Sequence, residues 1–179
     1  GTGSLALGYQ SGYSSQQALS TAIGYQAGYA NQGTGSIAIG YQVGYCGQGT
    51  GSIAMGNQAG YSGQGVNAIA MGTLSGFSSQ KANTIAIGYQ AGNISQSTGA
   101  IAIGYLAGNS SQGNYSIAIG YNASTGAQPD NCIAISADSG GVNNPATSSC
   151  VIKPIRNVNG SLTTQMFYDS TTGELTWGT

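Results

Sequence analysis

The strongest constraint on the fold is a sixteen-residue repeat that runs through most of the chain. A glycine closes an apolar triplet in every repeat without a slip in spacing, at Gly8, Gly24, Gly40, Gly56, Gly72, Gly88, Gly104 and Gly120. A glutamine keeps the same step from Gln16 to Gln128. So short a fixed period is typical of a solenoid, in which each repeat forms one coil and buries its surface against its neighbours.

The triplets alternate large, small and large side chains, as in Ile37-Ala38-Ile39, and this period of two predicts β-strands. We expect the large residues to point into the coil. The alanine file, Ala6 through Ala134, should then point outward as a flat surface for a neighbouring chain. A helix is excluded because each repeat holds at least two glycines. The later glycine, such as Gly44, predicts a tight corner, and residues 29–32 predict a second strand of the coil.

The sequence therefore predicts an all-β, parallel β-solenoid (a β-roll) of sixteen-residue coils over residues 1–136. An irregular C-terminal β cap is expected over residues 137–179. Within it, residues 151–155 predict one more strand, and residues 163–168 with 174–177 predict a hairpin around a turn. Because ordering one coil costs about as much free energy as the coil regains, a coil cannot stand alone. We expect about nine coils to stack and copies of the chain to associate.

Stacking in register converts repeated positions into ladders of like side chains. Two files are mostly tyrosine and supply the candidate surface or ladder residues: Tyr9, Tyr25, Tyr41, Tyr89, Tyr105 and Tyr121 in one, and Tyr13, Tyr29, Tyr45 and Tyr61 in the other. The repeated glutamines form a third file. These ladders are interpreted either as structural or, where tyrosines are exposed, as a repetitive binding face.

Charge is scarce and excludes several classes of function. Charged residues make up 4% of the chain, the net charge is −1, and Lys81 is the only charged residue before Asp130. A nucleic-acid partner is not expected, because it requires clustered Lys and Arg. Membrane insertion is not expected, because glycine interrupts every apolar run. Disorder is disfavoured because β-branched residues keep a strict register.

The residue types needed for catalysis are missing or scattered. The chain has no histidine to act as the base of a nucleophilic triad. The four acids lie near the C-terminus and the three cysteines are far apart, so no metal site is expected. Glycine-rich stretches recur in every coil, which indicates corners and not phosphate-binding loops. We expect no enzymatic activity, no cofactor and no metal.

Cysteines and asparagines offer two modification hypotheses. If the strands that follow Cys132 and Cys150 are stacked neighbours, the two Cα atoms lie within disulfide range, which implies an oxidising location. Unpaired buried thiols are the alternative, and Cys46 is left over in either case. Candidate glycosylation sequons begin at Asn93, Asn109, Asn114, Asn122 and Asn159. They matter only if the chain passes through a eukaryotic secretory route.

Ser-Ile-Ala-Ile-Gly at residues 36–40 and 116–120, with a methionine variant at 52–56, resembles the Asn-Ser-Val-Ala-Ile-Gly repeat of trimeric autotransporter adhesin heads. This YadA-like resemblance covers roughly residues 1–136 and implies a left-handed, homotrimeric β-roll with the large residues inside. Residues 152–157 and 166–176 are similar to segments of phage and giant-virus fibre proteins upstream of an intramolecular chaperone domain. Because the chain begins within a repeat, we expect a fragment or a processed product.

These observations predict a non-enzymatic structural and adhesive segment of a viral or phage-like fibre or of a surface adhesin. We expect it to be extracellular, on a virion or cell surface, with other copies of itself and a host-cell or glycan receptor as partners. The alternative is a self-assembling extracellular filament subunit without receptor binding. An ice- or crystal-surface binder would require a regular threonine array, and this chain shows tyrosine and glutamine files instead.

Overall fold

The computed structural model describes residues 1–154, 165–168 and 175–178. These residues form strands and turns, with no helix among them. The strands in chain order are β1 (Leu5–Leu7), β2 (Thr21–Ile23), β3 (Ala30–Gln32), β4 (Ile37–Ile39), β5 (Cys46–Gln48), β6 (Ile53–Met55), β7 (Ser62–Gln64), β8 (Ile69–Met71), β9 (Ser78–Gln80), β10 (Ile85–Ile87), β11 (Ile101–Ile103), β12 (Ile117–Gly120), β13 (Ile133–Ser136), β14 (Cys150–Lys153), β15 (Gln165–Tyr168) and β16 (Leu175–Gly178).

Two parallel sheets run along the stack of coils. The larger has ten strands in the order β1-β2-β4-β6-β8-β10-β11-β12-β13-β14. Its register follows the repeat, so that Ala86 lies beside Ala102. The second sheet has the order β3-β5-β7-β9 and is extended by single bridges, such as Gln96 to Gln112. The predicted parallel β-solenoid of about nine sixteen-residue coils is therefore confirmed, and the predicted second strand of the coil is formed in four of them.

The strand triplets face the opposite way from the prediction. The central alanines of β2 through β13 are fully buried, whereas the flanking residues are half-buried or exposed. At β8, the central Ala70 is fully buried, whereas Met71 beside it is 38% exposed. The prediction that the large residues point inward and the alanines outward is wrong. The two walls of each coil are too close for two isoleucines, because the interior must also hold a glutamine side chain from every coil at normal packing density.

Four kinds of small or polar side chain fill the interior. The triplet alanine is joined by a small residue directly before the corner glycine, such as Ala59, by the repeated glutamine, and by a serine, threonine or alanine just before the strand. The glutamine amide donates to a backbone carbonyl eleven residues earlier, as from Gln48 Nε2 to the Ile37 oxygen at 2.6 Å. Ser36 Oγ donates to the Gly33 carbonyl at 2.7 Å. Hydrogen bonds therefore hold this core together as much as apolar contact does.

The glycine that follows each triplet allows the coils to approach closely. Gly88 has φ +126°, and a Cβ built there would lie 2.4 Å from the carbonyl oxygen of Gly104 in the next coil. An L-residue meets both a disfavoured backbone conformation and a backbone clash at this position. The regular step of this glycine in the sequence is thus a requirement of stacking.

The chain after residue 136 adds one strand to the large sheet and then a hairpin. Strand β14 pairs in parallel with β13, as expected for the predicted further strand. Strands β15 and β16 pair antiparallel, with Met166 opposite Trp177, which confirms the predicted hairpin. Ile155, the turn at 169–173 and Asn159 lie outside the described residues. The boundary at residue 136, the capping role and the left-handed sense of the coil stay predictions.

The loop between β13 and β14 carries an ion pair. Lys153 Nζ lies 3.3 Å from Asp138 Oδ2. The backbone N–H of Gly140 and then the Lys153 ammonium lower the pKa of Asp138 below its ordinary value. This pair fastens the loop to the last strand of the sheet at neutral pH.

The predicted disulfide between Cys132 and Cys150 is wrong, because both thiols are free. Cys150 pairs in register with Ile133 and not with Cys132. Successive residues of a strand point to opposite faces, and accordingly Cys132 is fully buried while Cys150 is exposed. The Cys132 Sγ donates inside the coil to the Ala146 carbonyl at 3.1 Å.

Candidate interaction surfaces

The outer side of the ten-stranded sheet is an uncharged apolar surface, which we call the apolar face. It consists of the residues on either side of the buried central residue in each strand: Leu5, Thr21, Ile37, Ile53, Ile69, Ile85, Ile101, Ile117, Ile133 and Cys150 in one file, and Leu7, Ile23, Ile39, Met55, Met71, Ile87, Ile103, Ile119, Ile135 and Ile152 in the other. Nine steps of ~4.8 Å and a width of about 10 Å give a footprint of roughly 400 Å². The largest contiguous apolar patch of a monomer usually has this size, and it is often a functional surface.

The sequence prediction missed the apolar face because it assigned the same isoleucines to the interior. A signal of their true position is present in the repeats. The central position is alanine in every coil from Ala6 to Ala134, whereas the flanking positions vary among leucine, threonine, isoleucine and methionine. An invariant small residue indicates a confined site, and variable larger ones indicate a site with more room.

A second surface is the outer file, which follows the glycine after each triplet. Its members are Tyr9, Tyr25, Tyr41, Asn57, Thr73, Tyr89, Tyr105 and Tyr121, and all eight are exposed. The tyrosine rings stack in two groups of three with centroids 5.1–5.3 Å apart. Among the described residues, no side chain or backbone group hydrogen-bonds to their hydroxyls. The outer file therefore offers a row of unpaired polar tips to solvent.

A third file, the inner file, starts four residues later and has a more structural character. It runs Tyr13, Tyr29, Tyr45, Tyr61, Phe77, Asn93 and Asn109, and every member after Tyr13 is half-buried. Its rings stack with centroids 4.8–5.1 Å apart. Asn93 Nδ2 donates to the Leu74 carbonyl at 2.8 Å, and Asn109 Nδ2 donates to the Gln90 carbonyl at 3.1 Å. The inner file thus braces the corner between the two strands of a coil.

The candidate glycosylation asparagines are mostly engaged in the fold. The amides of Asn93 and Asn109 donate to backbone carbonyls, as above. Asn114 Nδ2 lies 3.2 Å from Asp130 Oδ2, and Asn122 is half-buried with an unpaired Oδ1. An amide nitrogen that donates to the protein itself is a poor acceptor for a glycan. Glycosylation of these sites stays a prediction.

Ionisable groups are sparse in the described part of the chain. There, no group of three His, Cys, Asp or Glu residues is arranged to hold a metal ion. Within the same ranges, no helix has the length and apolar character needed to span a bilayer. Lys81 is exposed at a corner of the coil stack. The surfaces that recur from coil to coil are therefore uncharged: one is apolar, and the others carry neutral polar groups.

Comparison with known protein families gives a match over a short stretch of the chain. Two copies of the YadA head domain repeat match residues 95–123, roughly one sixth of the chain. The matched span contains β11 and β12, which have the same triplet and the same spacing as the preceding coils. These are therefore YadA-like β-roll repeats. No curated protein and no solved structure shows a significant match to the chain.

Proposed function

We propose that the chain is a non-enzymatic structural and adhesive segment of an extracellular fibre, which works as a homotrimer on the surface of a virion or a cell. The observation that carries this proposal is the apolar face, which one chain leaves uncovered over about nine coils. The YadA-like repeats support an adhesin-like role. The likeness of the C-terminal residues to viral fibre segments supports a fibre on a virion.

The two files of the apolar face favour a ring of more than two copies, and the YadA-like repeats favour three. Each strand offers its first and third side chains outward, side by side along the whole rod. In a cyclic trimer, one file contacts one neighbour and the other file contacts the second neighbour. The pooled isoleucines then form the large apolar core that the narrow interior of a single coil cannot hold. Association therefore supplies the hydrophobic stabilisation that a single stack lacks.

Sedimentation equilibrium tests this proposal. We expect the wild-type chain to sediment as three times 17.8 kDa, about 53 kDa. The double variant Ile101→Asp/Ile103→Asp should sediment as a monomer or fail to assemble, because carboxylates buried between copies cost several kcal/mol. Tyr105→Asp is the matched control. It places a carboxylate in the same coil on the outer file, and it should leave the mass unchanged. A wild-type monomer at micromolar concentration would contradict the proposal.

The second candidate function is a filament subunit without receptor binding. Charged residues make up only 4% of the chain, so little like-charge repulsion opposes further lateral or end-to-end association. Negative-stain microscopy separates the two functions. Short rods of uniform length favour the trimeric segment, and long filaments of the purified chain favour assembly.

A further inference from the structure

We propose that the outer file binds a linear, neutral polysaccharide with equatorially linked sugar rings, such as cellulose or chitin, laid parallel to the solenoid axis. The inference rests on the adhesive function proposed above and names a class of receptor for it. Three observations carry it: the polar tip at every position of the file, the rigidity of the stacked rings, and their spacing.

Every position of the outer file carries a side chain that both donates and accepts hydrogen bonds. Where the aromatic stack is interrupted, the residues are Asn57 and Thr73, which keep a polar tip in the exposed row. The inner file behaves differently, because it accepts Phe77 and ties its asparagines to the backbone. The outer file therefore keeps a hydrogen-bonding group even at the positions where the aromatic ring is lost. Such a surface suits a hydroxyl-rich ligand.

The tyrosine side chains of the outer file are preorganised by stacking before any ligand binds. Their interplanar angles are 7–17°, so the middle ring of each group of three is covered on both faces by its neighbours. Even so, these two middle rings, Tyr25 and Tyr105, remain 43% and 45% exposed. Because stacking already restricts these rings, little further side-chain entropy is lost on binding.

The spacing of the file discriminates among linear polymers. Successive rings lie 5.1–5.3 Å apart. An extended peptide advances about 3.3 Å per residue, and a polyproline II segment about 3.1 Å. A strand of a nucleic acid duplex advances about 3.4 Å per phosphate and requires cations, whereas Lys81 is the only charged residue before Asp130. A chain of equatorially linked sugars advances one ring over nearly the distance of one coil. Successive sugars can therefore meet successive tips.

Co-sedimentation with insoluble polysaccharides tests the inference directly. We expect the wild-type chain to pellet with cellulose or chitin and not with starch. Starch contains the same sugar as cellulose, but its chain coils and does not keep the linear spacing. Equal binding to starch would overturn the argument from spacing. If the chain binds neither cellulose nor chitin, the inference as a whole is overturned.

Removal of hydroxyls alone gives the sharper test. The variant Tyr25→Phe/Tyr41→Phe/Tyr105→Phe keeps the stacked rings and should bind roughly tenfold more weakly or worse. Its matched control is Tyr29→Phe/Tyr45→Phe/Tyr61→Phe in the inner file, which should bind like the wild type. Equal binding by both variants would overturn the assignment to the outer file. Sedimentation mass separates this inference from the proposed function, because a trimer that binds no polysaccharide contradicts only the inference.

Discussion

Replacement of Gly88 by alanine is expected to lower the free energy of unfolding by about 2–4 kcal/mol, through backbone strain and a clash with the next coil. The added Cβ would lie 2.4 Å from the Gly104 carbonyl oxygen, and the backbone has φ +126°. The neighbouring atom belongs to the backbone, so no side-chain rotation relieves the contact. Urea unfolding followed by circular dichroism measures the change.

Gly35→Ala is the control for this substitution. Gly35 also has a positive φ, +64°, but a Cβ there would meet nothing within 4 Å. The equivalent positions in later coils include Asn67 and Asn83, which adopt φ of 54° and 60°. The left-handed conformation alone is therefore tolerated in this fold, and we expect a loss of no more than about 1 kcal/mol. Equal losses for Gly35→Ala and Gly88→Ala would show that close approach of the coils is not what requires glycine.

Replacement of Gln96 by alanine is expected to cost about 3–5 kcal/mol, because it combines a cavity with broken buried hydrogen bonds. Gln96 is fully buried. Its Nε2 donates to the Ile85 carbonyl at 3.2 Å and to Gln112 Oε1 at 2.7 Å. Its Oε1 accepts from Gln80 Nε2 at 2.8 Å. The same urea unfolding experiment measures the loss.

Gln90→Ala is the matched control for Gln96. Gln90 lies one coil corner away and is half-buried, and its side-chain amide has no hydrogen-bond partner among the described residues. In the two neighbouring coils the same position holds Leu74 and Leu106. Gln90 therefore lacks a hydrogen bond like the one that Gln42 Nε2 donates to Gln26 Oε1 in the earlier coils. We expect a loss below about 1 kcal/mol. A Gln96→Ala loss as small as that of Gln90→Ala would contradict the view that the buried glutamine file holds the coil.

Much of this fold could be predicted from the repeat alone. Identical spacing of glycines and apolar triplets fixes parallel strands in register, and register in turn aligns the tyrosine rings into ladders. The turn signal around Asp169 to Gly173 likewise predicted the hairpin. These features depend on local sequence and on the period, both of which the sequence contains.

Which face of each strand lies inside the coil could not be predicted from the period in the same way. Alternation in Ile85-Ala86-Ile87 defines two faces but does not say which one is inside. The choice of isoleucine for the interior holds for a thick core, and it fails when two strands and a buried Gln96 must share one thin coil. The resemblance to adhesin heads implies the same inward assignment. The volume available inside the coil decides the question, and the invariant alanine at the centre of every triplet is the only trace of it in the sequence.

The wrong disulfide has a related cause. The prediction that the strands after Cys132 and Cys150 are neighbours is correct, but the last coil spans seventeen residues between Ile133 and its partner Cys150. A one-residue change of register transfers a side chain to the other face of a strand. The two thiols are therefore separated by the sheet itself.

Cysteine cross-linking between copies tests the central claim, that alanine faces inward and isoleucine faces a partner. In a background of Cys46→Ser, Cys132→Ser and Cys150→Ser, we would compare Ile101→Cys, Ile103→Cys and Ala102→Cys after mild oxidation, on a non-reducing gel. At least one of the two flanking variants should form covalent dimers, and Ala102→Cys should remain a single chain. Cross-linking of Ala102→Cys while both flanking variants stay uncrosslinked would contradict the account.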